Sequence, residues 1–221
     1  IVLEGAGKAF VAGADVKFFV DKIEEGSLSE IEDFTKDGHR VLGLIEGSPH
    51  TTIALTTGLA LGGGLELALS CDYRVGTEKT VLRFPETSIG IYPGLGGTQR
   101  TTRVCGIEAA RFAVLAGNFM DAGAASALGL ITHLVGASDV TATVREISSG
   151  GKPANKYPGG PSDPSHPVAA MSKAFYSDSN MGAILSGEAP EGFDPEDRNV
   201  ARQLKSLSRA APVSVRLASD L

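Results

Sequence analysis

Glu66 stands between Leu65 and Leu67 in an apolar run that opens with three consecutive glycines, Gly62, Gly63 and Gly64. A second acid, Glu86, follows Phe84-Pro85 further along the chain. Paired carboxylates in apolar surroundings suit general acid–base chemistry, because unlike environments can hold one charged and the other protonated. Read alone, Glu66 serves equally well as a first-turn charge facing the positive end of a helix. The glycines add a second element. A turn without side chains lets a ligand approach the backbone N–H groups closely. Those donors lack intrahelical partners in a helix's first turn, so they can receive an anion or a developing oxyanion. Two further glycine turns occur, Ala12-Gly13-Ala14-Asp15-Val16-Lys17 and Tyr92-Pro93-Gly94-Leu95-Gly96-Gly97-Thr98-Gln99-Arg100. Each is weak evidence by itself.

These residues need elements to position them. Residues 51–56 are a β-branched run that reads as a buried strand, and the Ala-rich stretch through Cys71 reads as a helix. Strands are also expected at 1–4, 72–76 and 130–135, with His133 of the last turned outward. Val16 opens a short helix. Ser29-Glu30-Ile31-Glu32 reads as a capping box, starting a helix that Gly47 and Pro49 stop; His39 on it reads as a surface residue. Helices are expected at 107–115 and 121–128, the second capped by Asp121. Residues 148–167 carry glycines and prolines too densely to build a core, and read as a surface loop or linker. Helices follow at 168–176, from an Asp194 cap with Pro195 at the first position, and after Pro212. Val200, Leu204 and Leu207 form an apolar stripe that needs a partner.

Together, in this order, Ala12-Gly13-Ala14-Asp15, Leu61-Gly62-Gly63-Gly64-Leu65-Glu66, Pro85-Glu86 and the stretch from Tyr92 to Thr98 resemble the enoyl-CoA hydratase/isomerase (crotonase) superfamily. The resemblance runs from residue 1 to about 147. It is closest to the hydratase domains of multifunctional fatty-acid β-oxidation enzymes. It implies an α/β fold, a spiral of β–β–α units with C-terminal helices. On that reading the N-terminal strands of the spiral are expected to lie outside the given residues. A catalytic core at 1–147, a linker at 148–167 and a helical region at 168–221 are expected.

The implied activity is hydration of a trans-2-enoyl-CoA to a 3-hydroxyacyl-CoA. The resemblance assigns the oxyanion hole to Ala14 and Gly63, water activation to Glu66 and delivery of the α-proton to Glu86. Ala14, Asp15, Val16 and Lys17 match the segment that contacts CoA, with Lys17 a phosphate partner or an ordinary solvated lysine. Gly94 matches the glycine that brings the catalytic loop to the substrate. The CoA thioester is the substrate, and no metal or redox cofactor is implied. The expected assembly is a homo-oligomer, a trimer above all, or a fused or associated 3-hydroxyacyl-CoA dehydrogenase. An enoyl-CoA isomerase or other acyl-CoA enzyme that uses one glutamate is the nearest alternative. A non-catalytic binding module is the alternative from another class. Three departures stand out: Thr57-Gly58 replaces Asn-Gly, Arg83 lies close to Glu86, and the stretch 148–167 has no counterpart.

Composition agrees with this. The 221 residues, 42% of them hydrophobic, suffice for one large domain or a domain with an appendage. A formal charge of −6 argues against nucleic acid or an anionic membrane as a general partner. Two cysteines are too few for a disulfide framework and read as buried, reduced thiols, which suits a cytoplasm. The most apolar window contains Glu66 and several glycines, so it makes a poor membrane span.

Overall fold

A computed structural model describes residues 1–220 of the chain. Its strands come in pairs, one member for each of two sheets. β1 (Val2–Glu4), β3 (Ile53–Thr56), β5 (Tyr73–Gly76) and β8 (His133–Leu134) form one sheet in that order, parallel throughout. β2 (Ala9–Val11), β4 (Leu59–Leu61), β6 (Val81–Arg83) and β7 (Met120–Asp121) form the other, with β7 antiparallel to β6. Helices follow each pair. α1 (Val16–Glu24) and α2 (Leu28–Glu46) follow the first, and α3 (Gly63–Ser70) follows the second. The turn Glu86–Ile89, then α4 (Gly97–Cys105) and α5 (Ile107–Val114), follow the third. This is the layered β–β–α arrangement that the family resemblance implies. β2, β4 and β6 were not anticipated. Each has only three residues beside a glycine or proline turn, too short for a period-two pattern to register.

Alternation along the strands sorts their side chains between layers. Ala54 turns into the main core with Ala60, Leu65 and Leu82, while Ile53, Leu55 and Val75 turn outward beneath Ile147 of α7 (Val140–Gly150). α6 (Ala122–Ala127) starts at its Asp121 cap, whose side chain accepts from Ala124 N–H. Both cysteines are buried and free, and burial pushes the thiols of Cys71 and Cys105 up to about 11 and about 12. No described helix is long and apolar enough to cross a membrane.

The C-terminal helices are α8 (Pro167–Phe175), α9 (Met181–Ser186), α10 (Arg198–Leu207) and α11 (Pro212–Asp220). Phe175, Tyr176, Val200 and Leu207 belong to the same buried cluster as Leu65 and Leu82, and Leu204 packs against it. The stripe on α10 is therefore covered by its own chain and gives no ground for a second subunit. Gln203 anchors it there, its Oε1 accepting from Asn118 Nδ2 at 2.8 Å and from Tyr176 Oη at 2.9 Å.

Two helix starts differ from expectation. α2 begins at Leu28 with Ser27 at the cap, so Ser29 lies inside the first turn, and Glu32, the acid of the expected box, pairs with Lys36 at 2.6 Å instead of capping. α10 is capped by Asp197, which accepts from Asn199 N–H and Val200 N–H. Asp194 closes a separate turn ahead of it by accepting from Glu196 N–H. At α10 adjacent aspartates compete and Asp197 takes the capping bonds, whereas Ser27 at the start of α2 makes no side-chain capping bond.

Candidate active site

β4 delivers the chain to Gly62, whose φ of +51° and ψ of −125° fall in a region that only glycine occupies comfortably. α3 starts at the next residue. A Cβ on Gly62 would lie 2.6 Å from Glu86 Oε1, so the missing side chain is what gives Glu86 its place. One residue on, the Cβ position of Gly63 lies 3.9 Å from Glu66 Oε2 and 4.0 Å from Ala14 N. Adjacent glycines thus face the two carboxylates. Neither Ala14 N–H nor Gly63 N–H donates a hydrogen bond within the described residues.

Glu66 is 2% exposed and lies in the first turn of α3. Its Oε1 accepts from Leu95 N–H at 2.7 Å and Gly97 N–H at 2.8 Å. Oε2 makes no hydrogen bond within the described residues, which leaves it free on the side of Gly63. Burial raises the pKa of Glu66, while the amides of Gly97 and Leu95 and the charge of Arg100 oppose that rise. Gly97 is the glycine this arrangement demands. A Cβ there would meet Glu66 Cγ and Oε1, each at 2.9 Å.

Glu86 is 7% exposed on the short turn after Pro85, and its Oε2 is buried with no partner. Burial pushes its pKa up from 4.5 to about 8; its own backbone N–H lowers it, the charge of Glu66 raises it and Arg83 lowers it least. Arg83 is turned elsewhere. Its Nε donates to Gly117 O at 2.8 Å and its guanidinium lies 4.4 Å from the centre of the Phe119 ring.

Both carboxylates, Ala14 and Gly63 line one cavity of about 620 Å³. Its apolar wall includes Phe19 and Phe34 from α1 and α2, Ile89 and Leu95 from the loops, and Leu217 from α11. Val16 and Gly94 line it too, and a Cβ on Gly94 would meet only Tyr92 O, at an ordinary 3.7 Å. His39, expected on the surface, is exposed but also edges this cavity. Asp15 caps α1, accepting from Lys17 N–H at 2.9 Å, and Lys17 Nζ pairs with Asp21 at 2.5 Å in the open. No cluster of metal-ligating side chains occurs among the described residues.

Sequence reasoning missed the anchors of Glu66. The amides of Leu95 and Gly97 hold it, and Arg100, Glu46 and Tyr157 brace the loop that carries them. Backbone donors leave no residue-type signal. The adjacent glycines at 96 and 97 were the only visible hint.

This arrangement can polarise a carbonyl oxygen at the paired N–H groups and move protons on either side of it. The whole chain, residues 1–221, matches the family model for enoyl-CoA hydratase/isomerase. An enoyl-CoA isomerase/hydratase of Mycosarcoma maydis is 39% identical over 149 residues, covering 67% of this chain and 53% of that protein. The fatty acid oxidation complex subunit alpha of Psychrobacter cryohalolentis is 38% identical over 140 residues, 63% of this chain and 19% of that protein. The crystal structure of an enoyl-CoA hydratase from Bacillus anthracis superposes with a TM-score of 0.61 at 34% identity, covering 67% of this chain and 57% of that one. The matched part of the chain thus spans about half the length of two of these relatives, 53% of one and 57% of the other. With the paired sheets, the glycine turns and the two buried glutamates, these likenesses place the chain in the enoyl-CoA hydratase/isomerase family.

Proposed function

We propose that this chain carries the site of an enoyl-CoA hydratase, which adds water across the 2,3 double bond of a trans-2-enoyl-CoA. The observation that carries this reading is a pair of buried carboxylates in one cavity with unlike hydrogen-bond surroundings. Two amides stabilise charge on Glu66, and none within the described residues reaches the buried Oε2 of Glu86.

In this reading the thioester oxygen accepts from Ala14 N–H and Gly63 N–H. Glu66 takes a proton from water through Oε2, and the hydroxide adds to C3. The electron pair of the double bond moves onto the thioester oxygen as an enolate. Each preorganised donor there contributes about 3 kcal/mol to stabilising that charge, and the positive end of α3 adds to it. Glu86, protonated at neutral pH, then delivers its proton to C2. The pair resets by exchanging a proton with solvent. Every step is an addition or a proton transfer, so the scheme draws on no redox cofactor. Val16 lines the cavity, and Lys17 beside it, outside the lining, is the cation proposed to meet the CoA phosphates; a 3-hydroxyacyl-CoA dehydrogenase, fused or associated, is the partner suited to oxidise the new hydroxyl.

The test is loss of the conjugated enoyl-thioester ultraviolet absorbance across 2-enoyl-CoAs of different length. A gain of that absorbance from 3-enoyl-CoAs, with no hydration, would select the isomerase instead. Tight binding of acyl-CoA without either reaction would select a binding module.

A further inference from the structure

The stretch 151–166, between α7 and α8, has no regular secondary structure, yet it reaches the catalytic half at several points, two of them side chains that meet the ends of α3 and α2. Lys156 Nζ donates to Ser70 O, at the end of α3, at 2.7 Å and lies 3.7 Å from Asp72. The Tyr157 hydroxyl donates to Glu46 Oε1 at the last residue of α2. The other Glu46 oxygen accepts from Arg100 Nε at 3.1 Å and from Nη2 at 2.8 Å. The remaining nitrogen, Nη1, donates to Leu95 O at 2.7 Å.

That last contact falls at a telling place. Leu95 N–H and Gly97 N–H are the two donors to Glu66, and they belong to the peptides on either side of the one whose oxygen Arg100 holds. Gly94, Gly96 and Gly97 surround it, so side-chain sterics do little to fix these peptide planes. An external anchor is needed, and Arg100, 7% exposed, is that anchor. A guanidinium fork holds its direction only when its carboxylate partner is itself held.

We propose that Tyr157 is a positioning residue for Glu66, acting through Glu46 and Arg100 to fix the loop whose amides grip that carboxylate. The proposal rests on Glu66 being the base of the hydration. Charges around the chain of contacts are accounted for. Glu66 faces Glu86 and Arg100, while Lys156, Arg100 and Arg103 surround Glu46 and Tyr157. Tyr157 stays protonated in any working range, since burial and then the bond to Glu46 push its pKa up to about 12.

The test is Tyr157→Phe, which keeps the ring and removes only the hydroxyl. With 2-enoyl-CoA as substrate, kcat should fall about fivefold, the effect of one hydrogen bond, with KM within about twofold. The acid limb of the kcat profile should move to higher pH, because a loosely gripped Glu66 is harder to ionise. Arg100→Gln should cost about 10²-fold, and adding Tyr157→Phe to it should cost nothing more, as expected for residues acting in series. Additive losses, or a lower melting temperature with an unmoved pH profile, would overturn the proposal.

A second readout does not depend on turnover. A ¹³C titration of the Glu66 carboxyl, identified by its absence in Glu66→Gln, should show a higher midpoint in Tyr157→Phe. Wild-type protein that hydrates no enoyl-CoA would remove the functional reading while this titration still decides the positioning. Active wild type with an unmoved midpoint would remove the positioning alone.

Discussion

Glu66 and Glu86 are the same residue type, lie on the same cavity and are almost equally buried, yet the structure treats them oppositely. Glu66 accepts from two amides of a neighbouring loop, those of Leu95 and Gly97. The Glu86 turn leaves one carboxyl oxygen buried and unpaired, and its pKa rises to about 8. Burial alone therefore does not assign roles in an acid–base pair; the backbone donors available to each carboxylate do.

The widest effects should come from erasing the comparison. Glu66→Gln and Glu86→Gln should each lower kcat by at least about 10²-fold with acyl-CoA binding retained. Rapid-quench or absorbance assays beside a binding titration would check this. Near-normal turnover in either variant would remove that residue from the mechanism.

Next come the glycines that make room for each side. Gly97→Ala sets a methyl against Glu66 and should cost kcat about 10²-fold by displacing the base. Gly62→Ala both strains the backbone at φ +51° and crowds Glu86 Oε1. It should also lower stability by about 1–3 kcal/mol in a chemical melt. If Gly97→Ala proved as active as wild type, the grip on Glu66 would be incidental.

The smallest effect reads the difference in protonation directly. The unfolded chain releases the Glu86 proton near 4.5, whereas the folded chain keeps it to about 8. Between those values the folded state binds more protons, so its stability falls as pH rises through that window. Glu86→Gln stays neutral throughout, and at pH 9 it should be more stable than wild type by about 1 kcal/mol or more, despite its lost activity. Arg83→Ala tests the cause. Because Arg83 is bonded to Gly117 and acts more weakly on Glu86 than burial, the backbone N–H or Glu66, the alkaline limb of activity should shift upward by less than about half a unit. A larger shift would mean that charge, rather than burial, governs Glu86.

The sequence carried the parts whose information is local. Three glycines at a helix start, a carboxylate two positions on and a proline before the second glutamate are visible in order along the chain. Each states a backbone need or a buried charge through residue type. Strand 53–56 and the Asp121 helix were legible for the same reason, a composition that fits one local conformation. The three-residue strands of the second sheet were not, because their pairing depends on partners far along the chain.

Tertiary structure alone decided what the local signals left open. It turned the α10 stripe inward, where Gln203 meets Asn118 and Tyr176, although its spacing fitted an interface equally well. It gave Arg83 to Gly117 instead of Glu86. It brought Tyr157, from a stretch read as a mere linker, onto the far end of α2 and so behind the loop that holds Glu66. Periodicity and motif spacing describe what a segment needs. Which distant amide, carbonyl or carboxylate meets that need is set by chain packing, and here that choice gives Glu66 two amide donors and leaves Glu86 Oε2 buried without a partner.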